Sequence, residues 1–462
     1  MLRQERRGLA RAIVVLAWPT VIEQVMQVAV QYIDIAMVGV LGTQATAAVG
    51  ATTTVGWLLY STILAFGVGF LALVSQTCGA GDDAGTRNAV SQAILVVLVV
   101  GVISTVVPLA LSPWVPVWMQ VDPAIRDMTW QYFFILYLPM LPRTASAIFG
   151  TVLRAAGDTR TPMKVAVIVN AINVVLNFLL IYPTRTVTVL GLSFVMPGAG
   201  WGVAGAAAAS AIAFTWGGIR ITVVLLRHPR LSPGTLRLRP DWAVLRRCWT
   251  VTFPNMLQHF GTALGFVFFA AMINSLGDVA TATHTIANIV ESAFYIPGSG
   301  MQTAAATLVG NAWGARNEKR LRSLAAVFIP MEMILMAGTG ALLFVSAPAL
   351  MALFSQSDEV IALGSTVLRM VAVSEPLYGF YVIVEGMMMG LGKTRLPFLY
   401  NICGMWGVRI VGTWICTQFL HLGLVAAWGC MIGHNMLVFV LYLITYLRDR
   451  WHDPMPEAAS RT

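Results

Sequence analysis

The sequence predicts an all-α integral membrane protein. It has twelve transmembrane helices in two parallel six-helix lobes, related by a pseudo-two-fold axis along the membrane normal. Three observations predict it. Charged residues are too few to coat a water-facing surface, apolar runs of spanning length recur along the chain, and the second half repeats the first at a fixed offset.

The 462 residues are 58% hydrophobic and only 11% charged, against about 25% charged in ordinary globular domains. Most of the surface must therefore face lipid. The net charge of +9 does not point to nucleic acid, because the basic residues sit in short loops between apolar runs, without aromatic interleaving. Cys78, Cys248, Cys403, Cys416 and Cys430 form no CxxC pair and lie mostly in apolar runs. They read as reduced core residues rather than a disulfide or zinc framework. Arg3, Arg6, Arg7 and Arg11 precede a long apolar run with no small-residue cleavage site, so an uncleaved first helix is expected rather than a signal peptide.

A spanning helix needs about 20 mainly apolar residues. Such runs fall at 12–39, 47–76, 89–111, 129–152, 162–182, 200–226, 249–275, 281–311, 323–346, 361–390, 397–419 and 423–447. Lys and Arg in short loops set orientation. With the N-terminus inside, the inner segments hold 24 of the 29 basic residues, including Arg87, Arg154, Arg160, Arg237, Lys393 and Arg461. The outer loops hold Arg126, Arg185 and, at a helix edge, Arg369. Both termini are expected in the cytoplasm.

A constant offset of 235 residues aligns the halves. Pro19 maps to Pro254, Leu41-Gly42 to Leu276-Gly277, Tyr60 to Tyr295, and Gly79-Ala80 to Gly314-Ala315. Gly157, Thr159, Arg160 and Pro162 map to Gly392, Thr394, Arg395 and Pro397. Six spans restore the same orientation, so the copies are parallel, an arrangement typical of transporters. The expected divisions are an N-lobe at 1–226, a cytoplasmic linker at 227–243, a C-lobe at 244–447 and a cytoplasmic tail at 448–462.

A charge at the bilayer centre costs about 2.5–3.5 kcal/mol on insertion scales. Glu23, Asp34, Glu291, Glu332, Glu375 and Glu385 fall inside spans, as do Arg143 and Arg409. One reading pairs Arg143 with Glu23, and Arg409 with Glu291 or Glu375, as structural ion pairs. The other makes the surplus acids cation- or proton-binding groups, since an unpaired buried carboxylate holds a proton more tightly than in water. Asp34 stands out because no basic residue lies near it in sequence. Asn170, Asn173 and Asn177 share one face of the fifth span, either bonding other helices or lining a hydrated cavity beside Asp34. Lone His259, His284 and His434 read as satisfied core histidines. No metal site or cofactor is expected. Gly386 to Thr394 resembles a P-loop, but its first glycine is out of register and it ends a membrane helix.

Several segments resemble the multidrug and toxic compound extrusion (MATE) transporters, bacterial branch. They are Ala17-Trp18-Pro19 through Glu23-Gln24 to Asp34 and Gly39, the paired turns Gly157 to Pro162 and Gly392 to Pro397, and Ile289-Val290-Glu291-Ser292 with Pro297-Gly298. The resemblance covers essentially the whole chain. It implies export of hydrophobic or cationic compounds by alternating access of two lobes, against inward H+ or Na+ as the coupling ion. It also implies cation or proton binding at Asp34 beside Asn173. Asn177 replaces an aspartate found in many members, and the seventh span has no acid, which leaves Glu291 and Glu375 as C-lobe candidates. Arg143 and Arg409 remain as structural or coupling charges. The expected partners are small-molecule substrates and the lipid bilayer, with no nucleic acid, and a monomer is expected. The rival readings are a flippase for a lipid-linked saccharide and a sodium-coupled exporter of an endogenous metabolite. No enzyme is expected, because the sequence lacks HExxH, GxSxG and any Cys/His cluster.

Overall fold

A computed structural model describes residues 2–189, 192–234 and 239–452. Arg237 of the linker, and residues 453–462 of the expected tail with Arg461, lie outside the described residues.

Helix occupies all twelve expected places. α1 (Leu2–Gly39), α2 (Thr43–Ala80) and α3 (Asp83–Leu111) are long continuous helices. A short α4 (Val115–Trp118) precedes α5 (Arg126–Tyr137). The fourth span then bends by 49° before α6 (Met140–Ala155). Pro139 stands at this break, where its missing N–H interrupts helical bonding. α7 (Arg160–Leu180) and α8 (Gly202–Arg227) complete the first half. α9 (Trp242–Asn274), α10 (Asp278–Gly314), α11 (Glu318–Phe354) and α12 (Asp358–Gly390) follow.

The eleventh span alternates between two helical geometries. α13 (Arg395–Ile402) widens into π-helix over Cys403–Ile410, returns as α14 (Val411–Trp414), and widens again over Ile415–Phe419. α15 (Leu424–Leu447) ends the bundle. Among the described residues, nine helices are long and apolar enough to cross a bilayer, or ten with the bent pair. The remaining two spans are the interrupted eleventh and α10, which spends many positions on Thr, Asn, Ser and Glu291.

One element departs from the all-α expectation. β1 (Pro183–Val189) and β2 (Leu192–Ala199) form an antiparallel hairpin between α7 and α8. Its sequence signal is the Thr/Val alternation over 186–189, a period of two within a polar loop.

The surface is inverted relative to a water-soluble protein. Val345, Leu353, Val373 and Leu447 are 72–77% exposed, whereas Asn177, Asn255 and Glu332 are fully buried. Apolar side chains outside and polar groups inside suit a lipid solvent.

The chain divides into two compact units. The C-unit comprises Met1–Val21, Leu71–Asp82 and Trp249–Thr462, and the N-unit comprises Ile22–Phe70 and Asp83–Cys248. The expected lobes are separated only by the linker, whereas these units also divide α1 and α2. In the C-unit one core gathers Ile13, Met301, Leu324 and Ile383, and another Phe269, Leu343, Val367 and Trp428. The N-unit core includes Val38, Val49, Tyr132 and Ala207.

Within the C-unit, α2 and α10 cross at repeat partners. A Cβ on Gly79 would fall on the backbone carbonyl of Asn311, and one on Gly314 would fall on that of Gln76. Gln76 and Asn311 are themselves 235 positions apart, so the contact has the two-fold symmetry of the repeat. Only hydrogen fits at either position. Within the N-unit, the linker is fixed to α3. Gln92 Nε2 donates to the Arg239 carbonyl (2.9 Å), and Asn88 Nδ2 donates to the Asp241 carboxylate (2.8 Å). Asp241 Oδ1 also accepts the N–H groups of Ala243 (3.0 Å) and Val244 (3.3 Å), capping α9. The Asn88 amide, then these N–H groups, hold the Asp241 carboxyl below its ordinary value.

Two outcomes follow. Gly79→Ala and Gly314→Ala should each cost about 1–3 kcal/mol through overpacking, read as a lower melting temperature in detergent. Gly50→Ala, with open space at its Cβ position, should not lower it. A carboxyl held below its unfolded value stabilises above that value and loses the effect as pH falls through the folded one. Amide protection at Ala243 and Val244 should therefore persist at neutral pH and vanish only below the ordinary 3.8 of Asp241. In Asn88→Ala, amide exchange should show the loss at higher pH.

Candidate functional site

Asp34 lies near the end of α1 and is 7% exposed. Its Oδ1 accepts from Asn177 Nδ2 at 2.6 Å, and its Oδ2 from Ser210 Oγ at 2.6 Å. Ser210 Oγ accepts from Asn173 Nδ2 (2.9 Å), and Asn173 Oδ1 accepts from Asn177 Nδ2 (3.2 Å). Four side chains from three helices thus close a ring of hydrogen bonds, all of them buried. Asn173 and Asn177 can join it because four residues of helix place them one above the other. No basic residue pairs with Asp34 among the described residues. The ring consists of one acid and neutral donors.

Sequence reasoning named three members of this ring and missed Ser210. Its signal is faint: one hydroxyl closing the run Gly205 to Ala209 on α8. Asn170 shares the expected face but stands outside the ring. Its Nδ2 donates to the backbone carbonyls of Met26 (3.1 Å) and Ala166 (2.9 Å).

Glu23 corrects the expected pairing. Its partner is Arg154, at 2.6 Å, not Arg143. Arg154 ends α6 and is braced by Thr151 Oγ1 at 2.6 Å. Its long stem carries the guanidinium back into the helix bundle while its backbone stays near the membrane edge. Arg143 instead lies over the rings of Tyr60 (5.0 Å) and Phe214 (4.6 Å).

The C-unit candidates are also arranged differently from expectation. Glu291 accepts from Tyr295 Oη at 2.6 Å. Glu375 is 1% exposed, and neither of its oxygens has a hydrogen-bond partner. Arg409, on the first π-helical stretch, lies over Phe269 (4.2 Å) and Phe266 (4.8 Å). Among the described residues it forms no ion pair with Glu291 or Glu375, so attraction to ring faces replaces the expected salt bridge. His284 and His434 are not satisfied core histidines. His284 Nδ1 and both His434 nitrogens lack partners, and His284 packs between Phe269 and Trp428.

Repeat-related positions meet in both halves, with different chemistry. Tyr60 meets Arg143 in the N-unit, and their partners Tyr295 and Tyr378 meet in the C-unit with ring centroids 4.4 Å apart and planes tilted by 39°. Asp34 has Phe269 as its partner, so the acid of one half corresponds to a ring beneath Arg409 in the other.

If the Glu23–Arg154 pair is structural, removing one partner strands a buried charge, at about 3–5 kcal/mol. Glu23→Gln and Arg154→Met should each lower the melting temperature of the purified protein. The double variant should recover most of the loss, as a thermal double-mutant cycle would show.

The chain is similar to known proteins along nearly its whole length. A protein from Thermotoga maritima called "Probable multidrug resistance protein NorM" is 24% identical over 97% of this chain and 94% of its own. One of the same name from Chromobacterium violaceum is 26% identical over 97% of each. Among solved structures, an outward-facing multidrug resistance MATE family transporter of the MOP superfamily superposes with a TM-score of 0.87, at 22% identity over 96% of this chain and 97% of that one. A MOP superfamily transporter from Pyrococcus furiosus gives 0.86, at 23% identity over 96% of each. These likenesses show the fold, and with the apolar spans they make the chain a multi-pass membrane protein. The MatE family model matches twice, at residues 19–179 and 254–415, and the two matches begin in the register of the chain's own repeat. Because they cover more than half its length, the chain belongs to the MatE family.

Proposed function

We propose that this protein is an antiporter. It exports hydrophobic or cationic small molecules in exchange for protons by alternating access, with Asp34 as the switch and without catalysing any chemical conversion. The names of its relatives support multidrug export, their bacterial sources support the inner membrane of a bacterium, and its Lys/Arg distribution supports both termini in the cytoplasm. One observation carries the mechanistic reading: the ring of Asp34, Asn177, Asn173 and Ser210 contains a carboxylate and no basic residue.

Such a ring can accept a proton with little rearrangement. A proton needs one lone pair, whereas a hard metal cation needs several oxygens at once, and both Asp34 oxygens already face donors. Ionised, Asp34 attracts a cationic substrate. Protonated from outside, it releases that substrate and then delivers the proton inward. One charge moving through 100 mV supplies about 2.3 kcal/mol, enough for a concentration ratio of roughly fifty-fold. Glu291 and Glu375 are candidates for further ion binding in the C-unit, and Arg143 and Arg409 for fixed charges that shape the field.

Dye efflux from proteoliposomes under separately imposed pH and sodium gradients tests this. The wild type should respond to the pH gradient. Asp34→Asn should lose at least tenfold of that response, Ser210→Ala should lose part of it, and Ser210→Thr should retain it. Equal efflux by Asp34→Asn and wild type would remove Asp34 from the mechanism, and a response to sodium alone would replace the proton.

A further inference from the structure

The C-unit buries four carboxyl groups: Glu291 on α10, Glu332 on α11, and Glu375 and Glu385 on α12. The Tyr378 ring lies in the field of all four. Glu291 has the Tyr295 hydroxyl, and Glu385 accepts three amides, from Gln258 (2.8 Å), Asn401 (3.0 Å) and Gln302 (3.2 Å). Glu332 and Glu375 differ: among the described residues neither oxygen of either has a hydrogen-bond partner. Glu332 is fully buried.

The two neighbouring helices make room for it. A Cβ on Gly298 of α10 would stand 3.1 Å from Glu332 Oε1 and 3.0 Å from Tyr378 Cε1. A Cβ on Gly379 of α12 would stand 3.3 Å from Glu332 Cγ and crowd Met336. Both helices give up side-chain volume beside one carboxyl. The buried or half-buried titratable groups on these helices are His284, Glu291 and Tyr295 on α10, and Glu375, Tyr378, Tyr381 and Glu385 on α12. Arg409 of the eleventh span is turned onto Phe266 and Phe269. A dry, unpartnered carboxylate is heavily penalised. A hard metal cation would need several oxygen ligands, and among the described residues neither oxygen of this group has a hydrogen-bond partner. A proton needs only the carboxylate's own lone pair.

We propose that Glu332 is a second proton-binding site, in the C-unit, which takes H+ and not Na+. The step is simple dissociation: the carboxylic O–H bond breaks as its proton passes to a water molecule that reaches the cradle, and it re-forms when a hydronium returns the proton to the carboxylate. The role in the transport cycle rests on the proton-antiport reading, whereas the binding of the proton does not.

Difference infrared spectroscopy of the full chain in lipid tests it, using a pH jump in H2O and D2O. One protonated-carboxyl stretch should disappear in Glu332→Gln and persist in Asp34→Asn. Proton release on binding a lipophilic cationic dye in weak buffer should fall by about one per chain in Glu332→Gln. Glu332→Met fills the same apolar space, and should give both losses if the Gln variant folds poorly. An unchanged band and proton count in both variants would overturn the proposal, as would displacement of the wild-type band by sodium at constant pH. Full proton-driven efflux by Asp34→Asn would defeat the Asp34 switch while leaving the Glu332 band to decide this site.

Discussion

The reciprocal contacts of Gly79 with Asn311 and of Gly314 with Gln76 are the constraint on which the C-unit is built. In lipid, apolar side chains gain little by leaving the solvent, so helices associate through close packing and polar contacts between them. Two backbones that touch where side chains are absent fix the distance between α2 and α10. Polar contacts then bridge to neighbouring helices: Gln76 Nε2 reaches the Gly390 carbonyl at 2.9 Å, and Thr20 Oγ1 reaches that of Gly300 at 3.0 Å. Each hydrogen bond is short because the helices already stand close, so the packing precedes the polar contacts in the order of causes.

The same frame carries unlike chemistry in its two halves. The N-unit answers a buried acid with neutral donors at Asp34 and with a guanidinium at Glu23. The C-unit seats its own guanidinium, Arg409, on aromatic faces and leaves Glu375 without a hydrogen bond. A hydrogen-bonded carboxylate is tied to one geometry, whereas an unpartnered one can change its occupant without breaking a bond. The N-unit ring therefore restrains Asp34, whereas Glu332 and Glu375 of the C-unit carry no such restraint among the described residues.

Much of the fold was legible because its causes are local. Apolar runs measure the bilayer directly, and the paired prolines and glycines mark turns and crossings that recur with the repeat. The hairpin at 183–199 was overlooked because a short alternation in a polar loop is weak beside twelve long runs. The π-helical stretches of the eleventh span have no clear sequence signal, since they depend on how neighbouring helices force the backbone to widen. At the candidate site, Asp34, Asn173 and Asn177 were legible from helical spacing. Ser210 was not, because its importance comes from a third helix whose rotation no periodicity specifies. The Glu23 partner was misassigned for a related reason. Depth counted along the backbone ignores how far an arginine stem reaches, and Arg154 travels back along its helix to a place its Cα does not occupy.

The unequal halves have a consequence for ancestry. A chain made of two copies of the first half would hold two Asp34 rings and none of the four C-unit acids. One made of two copies of the second would lack the ring altogether and would place Phe269 where the acid stands. Neither ancestor-like duplicate would reproduce the present division of labour. The repeat accounts for the shared frame, and the positions at which the halves differ account for the two kinds of buried charge.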